Sequence, residues 1–78
     1  MFVMKEIAPR ITVDDQVHHG KPVIQGTRVP VNVVLGQLAA GIPVDEVALE
    51  YGITREDVLA CLSYAAQLVE DEEVRATA

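Results

Sequence analysis

Hydrophobic positions along this chain change period once, near residue 31. Over residues 11–31, β-branched side chains come in short runs broken by Asp14-Asp15, by His18-His19-Gly20 and by Gln25-Gly26-Thr27. Short β-branched runs bounded by turn formers predict two or three strands joined by tight turns. Gly26 supplies a flexible point for reversal. Pro22 and Pro30 lack the N–H that a central strand donates, so they fit strand edges or ends. The segment is therefore expected to form a bent β arm rather than a buried central strand.

From Val31 the repeat becomes helical. Val31, Val34, Leu35, Leu38 and Ala39 fall at i, i+3, i+4, i+7 and i+8, an apolar stripe that Pro30 can start and Gly41 can stop. Val44, Val47 and Ala48 begin a second, shorter stripe ended by Gly52. Thr54 then stands as the cap of a third helix, with Asp57 three residues on in the position of a capping box. The third stripe runs through Val58, Leu59, Leu62, Ala65, Ala66 and Val69, widened by Cys61 and Leu68. After it come four successive acids, Glu70, Asp71, Glu72 and Glu73, which oppose the helix dipole and one another, so the end is expected to fray.

With 78 residues, the chain has room for one core, and chains of this size often gain stability by self-association. The core must be aliphatic: there is no Trp and one Phe. A lone cysteine, Cys61, excludes an internal disulfide and reads as a small buried hydrophobe in a reducing compartment, which suggests the cytoplasm. Lys5 and Glu6 cut the N-terminal apolar run before a signal-peptide core is reached, and no apolar run approaches the ~18 residues of a membrane span. The net charge of −6 is unevenly spread. Residues 1–30 carry four cations and three anions, a balance of +1, whereas residues 31–78 carry two cations and nine anions, a balance of −7. An acidic helical half argues against tight non-specific binding to nucleic acid.

The second and third helices meet as VALEYGITREDVLAC. A helix-turn-helix needs a small residue where its helices touch, a glycine at the turn and apolar inner faces. Ala48, Gly52 and the set Val47, Tyr51, Ile53, Val58 and Cys61 supply them. Such a pair reads DNA through side chains near the start of its second helix, here Thr54, Arg55, Glu56, Leu59 and Ala60. Of these, Thr54 and Arg55 suit phosphate or base contacts; the alternative is a packed trihelical scaffold that reads nothing. His18 and His19 follow two aspartates, but no further ligand completes a metal set, and a polar turn accounts for them. With no nucleophile, phosphate-cradling or zinc-protease motif, neither catalysis nor a cofactor is expected of the chain alone.

GKPVIQGTRVPV, an amphipathic helix and GIPVDEVALEYGITREDVLACLSYA together resemble the prokaryotic family catalogued as domain of unknown function 433, over about residues 11–66. The resemblance implies an antitoxin-like, homeodomain-like trihelical domain with a small β arm, often encoded beside a PIN-like nuclease. The chain departs from the family pattern at His19, where a second Gly is common, at Gln25, where a basic residue is frequent, and at Pro43, where Ser or Thr would cap the second helix.

The expectation is therefore an α+β, mostly α domain: a β arm over residues 11–31, a three-helix homeodomain-like helix-turn-helix core over 31–69 and an acidic tail over 70–78. It is expected to self-associate as a homodimer or larger homo-oligomer, to neutralise a PIN-like nuclease, and to regulate its own transcription at operator DNA. DNA contacts are assigned to Lys21, Arg28, Thr54 and Arg55, and partner contacts to Glu70, Asp71, Glu72, Glu73 and Arg75. Arg28 either makes a bidentate bond to an external phosphate or carboxylate or pairs with a helix acid. The competing function is a protein-interaction module that never meets nucleic acid.

Overall fold

The computed structural model describes residues 4–72. Its elements are strands β1 (Met4–Ala8), β2 (Ile11–Asp14) and β3 (Val23–Ile24), then helices α1 (Val31–Ala39), α2 (Val44–Tyr51) and α3 (Arg55–Asp71), with a short 3-10 turn at His18–Gly20. The strands form one antiparallel sheet in the order β1-β2-β3. The fold is thus α+β and mostly α.

Ile11 faces Ile24 across the β2–β3 ladder, and both are fully buried. With Val31, Val34, Val47, Val58 and Cys61 they form a single core between the sheet and the three helices. Two sequence expectations need correction here. The sheet begins at Met4, not at residue 11: β1 pairs with β2, placing Met4 opposite Asp14 and Ala8 opposite Ile11. The 11–31 segment, moreover, is one wall of the core rather than a projecting arm, because Val23 and Ile24 are too apolar to be left outside so small a domain.

Pro22 and Pro30 do mark an edge. β3 is an outer strand, and beyond it the chain doubles back so that the Ile24 N–H donates to the Val29 carbonyl at 3.0 Å. At the tip Gly26 takes φ +77°, and the Thr27 N–H closes the turn on the Ile24 carbonyl at 3.0 Å. The Thr27 hydroxyl then donates to the same carbonyl at 2.7 Å and accepts from the Val29 N–H at 3.0 Å. The sequence Gly-Thr is thereby explained: one residue permits the turn and the next fastens it.

The helices begin and end where the pattern places them. α1 and α2 both close with paired bonds of the Schellman type. At α1 the Gly41 N–H reaches Leu38 and the Ile42 N–H reaches Gln37; at α2 the Gly52 N–H reaches Leu49 and the Ile53 N–H reaches Ala48. Gly52 holds φ +65° with no steric cost, and Ile42 and Ile53, just past each stop, pack against the core. Pro43 leaves α2 without a side-chain cap. α3 has the full capping box. It also outlasts its expected end at residue 69, running to Asp71, with the Gln67 amide donating to Asp71 one turn on at 3.3 Å.

His18 and His19 both occupy the left-handed region, at φ +49° and +55°, which costs an L-residue about 1–2 kcal/mol. Gly is free of that cost but loses about 0.5–1 kcal/mol of chain entropy. His19→Gly is therefore expected to stabilise the domain by about 0.5 kcal/mol, read as a higher denaturant midpoint at unchanged slope. A lower midpoint would refute strain at this position.

Candidate functional site

The chemistry gathers at the start of α3. Thr54 and Asp57 cap the helix reciprocally: the Thr54 hydroxyl accepts from the Asp57 N–H at 3.1 Å, and the Asp57 carboxylate accepts from the Thr54 N–H at 3.0 Å. The second carboxylate oxygen of Asp57 accepts from Arg10 Nη1 at 2.9 Å. Arg10 sits in the β1–β2 turn at φ +67°, and its carbonyl accepts from the Gln25 N–H at 2.8 Å. One residue thus ties the turn to both β3 and α3. Partial burial by itself would raise the Asp57 pKa, but the Thr54 backbone donor, the Arg10 guanidinium and the Thr54 hydroxyl together outweigh it and hold the carboxyl below its ordinary range.

The four residues assigned to DNA do not converge. Thr54 is exposed, but its hydroxyl serves the cap. Arg55 is exposed and donates to Asp45 of α2 at 2.8 Å, an open pair whose side chains are 56% and 81% accessible and which is worth only ~0–1 kcal/mol. Lys21 lines a shallow groove with Val31, Leu35, Tyr64 and Leu68, which lies roughly 14–20 Å along α3 from Arg55. Arg28 is exposed at the β3 hairpin tip. Among the described residues neither Lys21 nor Arg28 forms an ion pair. Arg28 is positioned through its backbone, the His18 imidazole Nε2 meeting its carbonyl at 2.9 Å.

Of the partner residues, Glu70 and Asp71 are helical and exposed and Glu72 ends the helix, whereas Glu73 and Arg75 lie outside the described residues. The last turn of α3 holds no basic residue. No residue of α3 after Cys61 is fully buried; half-buried Tyr64 still packs against the core, and from Ala66 onward the helix is exposed. Leu59, Leu62, Leu68 and Val69 are accordingly 44%, 40%, 51% and 66% exposed. The sequence stripe was real, but only its Val58–Cys61 side faces inward.

Cys61 is fully buried, and burial, aided by the Asp57 charge, pushes its thiol up to about 11, so it stays protonated and inert near neutrality. His18 and His19 fall in the 3-10 turn, and no group of three or more His, Cys, Asp or Glu among the described residues is arranged to hold a metal ion. No helix among them is long and apolar enough to cross a membrane.

These features define a small α+β domain whose α2–turn–α3 unit is clamped to a three-stranded sheet. The family model described as protein of unknown function (DUF433) matches residues 11–65, and the chain belongs to that family. No curated protein matches it. Among solved structures, the X-ray crystal structure of Rv2018 from Mycobacterium tuberculosis is similar, with a TM-score of 0.62 and 36% identity over 67% of this chain and 24% of that one. The chain thus spans about a quarter of Rv2018's length.

The depressed carboxyl of Asp57 makes stability pH-dependent. Its contribution is complete above the unfolded carboxyl's pKa, about 3.9, and is lost as pH falls through the lower folded value. Asp57→Asn should therefore lower the unfolding free energy by a constant amount above about pH 5, and the gap should narrow below about pH 4. Denaturant titrations across pH test this; a gap that widens in acid would reverse the assignment.

Proposed function

We propose that the chain is an antitoxin-like, non-enzymatic binding protein that holds and neutralises a PIN-like nuclease. The observation that carries this reading is the acidic overhang of α3: a helix whose last contact with the core is half-buried Tyr64 and which ends in exposed Glu70, Asp71 and Glu72 with no basic residue in its last turn. A metal-dependent RNase presents basic walls to its substrate, and a cluster of exposed carboxylates at a helix end offers those walls a mimic of phosphates. In the sequence Glu73 and Arg75 continue this segment. Exposed charges of this kind act mainly on association rate and salt dependence.

The test is co-purification with the product of the adjacent nuclease gene, followed by stopped-flow association and an RNA-cleavage assay. Replacing Glu70, Asp71 and Glu72 by Lys should slow association about tenfold or more at low salt, with the difference shrinking as salt rises. Unchanged association and full inhibition would remove the overhang from the mechanism.

A second activity, autoregulation at operator DNA, is favoured by one feature. The α2–turn–α3 unit has the helix-turn-helix order and leaves Thr54 and Arg55 exposed where α3 begins, which supports reading the three helices as homeodomain-like. The few cations there make weak, sequence-dependent binding the expected result. Fluorescence anisotropy should give tighter binding to the chain's own upstream DNA than to scrambled DNA, and Arg55→Ala should erase the difference. Equal affinity for both DNAs in the unaltered protein would leave the binding module without a DNA role.

A further inference from the structure

Much of the large apolar surface that the described residues leave exposed lies on α3, at Leu59, Leu62, Leu68 and Val69, and most of it on one side. Leu59, Leu62, Ala66 and Val69 are all exposed, and at 3.6 residues per turn they share an arc of about 80°. Their spacing of three, four and three is the seam of a helix that packs against another helix.

Two features identify the occupant. Paired antiparallel about the level of residue 64, two copies of this seam set Leu59 against Val69 and Leu62 against Ala66, large against small, at every level. Paired in parallel, they set Leu62 against Leu62 and leave Ala66 facing Ala66 across a gap. Charge selects the same direction. The α3 C-terminus carries Glu70, Asp71 and Glu72 with no basic residue in its last turn, and an antiparallel copy brings to it the positive end of a helix dipole together with Arg55, which lies within the seam arc while the first-turn acids Glu56 and Asp57 lie about 100° and 160° from its centre. A parallel copy would stack the two acidic ends.

We propose that the open side of α3 is the surface on which a second copy of this chain packs, with the two α3 helices antiparallel. Arg55 needs to surrender only its exposed link to Asp45 to meet the acidic end of the other copy. Asp71 and Glu72 lie about 160° and 100° round the helix from the centre of the seam and stay outside it, whereas Glu70 borders it, so the nuclease reading does not require this interface and shares with it only Glu70.

Sedimentation equilibrium on the unaltered protein should give a dimer mass at micromolar concentration. Leu62→Glu, at an exposed position, should raise the dimer dissociation constant at least a hundredfold while the circular dichroism spectrum is retained. Direction is read by oxidative cross-linking, for which buried Cys61 is silent. Leu59→Cys mixed with Val69→Cys should yield the mixed disulfide, because only antiparallel pairing brings those positions within the ~4.4–6.8 Å Cα separation a disulfide needs; Leu59→Cys alone should not cross-link. A monomer at 100-fold higher concentration, a Leu62→Glu dimer of unchanged affinity, or dominant 59–59 cross-links would each overturn the proposal.

Discussion

Asp57 is the point through which the two halves of the fold are joined. Its carboxylate closes the α3 cap and receives Arg10 from the far side of the sequence, 47 residues away. The left-handed backbone at Arg10 costs about 1–2 kcal/mol. A helix cap returns about 1 kcal/mol, and a hydrogen bond to a charged group about 1.5–3 kcal/mol. The gain exceeds the strain by roughly 0.5–3 kcal/mol, so the clamp adds a modest net stability. It also acts geometrically: it fixes the angle at which α3 leaves the sheet. Stability comes mainly from the aliphatic core, where each fully buried Val or Ile is worth about 1.5–3 kcal/mol.

That division of labour gives α3 two distinct parts. From Arg55 to Cys61 it is held by the cap, by Arg10 and by burial of Val58 and Cys61. Beyond Cys61 it depends on its own backbone bonds, on half-buried Tyr64 and Ala65, and on links such as Gln67 to Asp71. A helix held firmly at its base and left bare along its length suits a surface made for a partner, because its shape is set before the partner arrives and little ordering entropy remains to be lost.

The parts legible in the sequence were those written in local spacing. Gly41 and Gly52 stop helices through bonds between residues three to five apart, and Thr54 with Asp57 forms a box within one turn; each can be read from a few neighbouring letters. β1 was illegible because Met4, Lys5, Glu6 and Ile7 are exposed on both faces, so no alternation of buried and exposed positions marks the strand. The role of Arg10 was hidden by its 47-residue separation from Asp57, although Pro9-Arg10 between two apolar runs is a turn signal in its own right. His19 was legible only as a departure from a family glycine, and its positive φ supplies the reason. On α3 the stripe was correctly found but too wide: Ile11, Ile24, Val34 and Val47 make a core that covers one side of a helix, and periodicity cannot say which side.

The remaining side of α3 can be occupied only once. Arg55 and Leu59 belong both to the seam proposed for a second copy and to the face that a recognition helix lays in the major groove. A duplex brings one negative charge per ~1.7 Å of axis to a helix that carries Glu56 and Asp57 beside Arg55 at one end and three carboxylates at the other, whereas an antiparallel copy brings Arg55 and a helix N-terminus to the acidic end. Electrostatics therefore favours the copy over the duplex at the same surface. DNA contact through α3 and pairing through α3 are linked by competition: whatever stabilises the pair weakens the operator complex by the same free energy. Only contacts from outside the seam, such as Lys21 beside the α1 groove or Arg28 at the hairpin tip, escape that linkage. A dimer that also bound DNA would have to do so through cations outside the seam, such as exposed Lys5, Lys21 and Arg28 of the N-terminal segment.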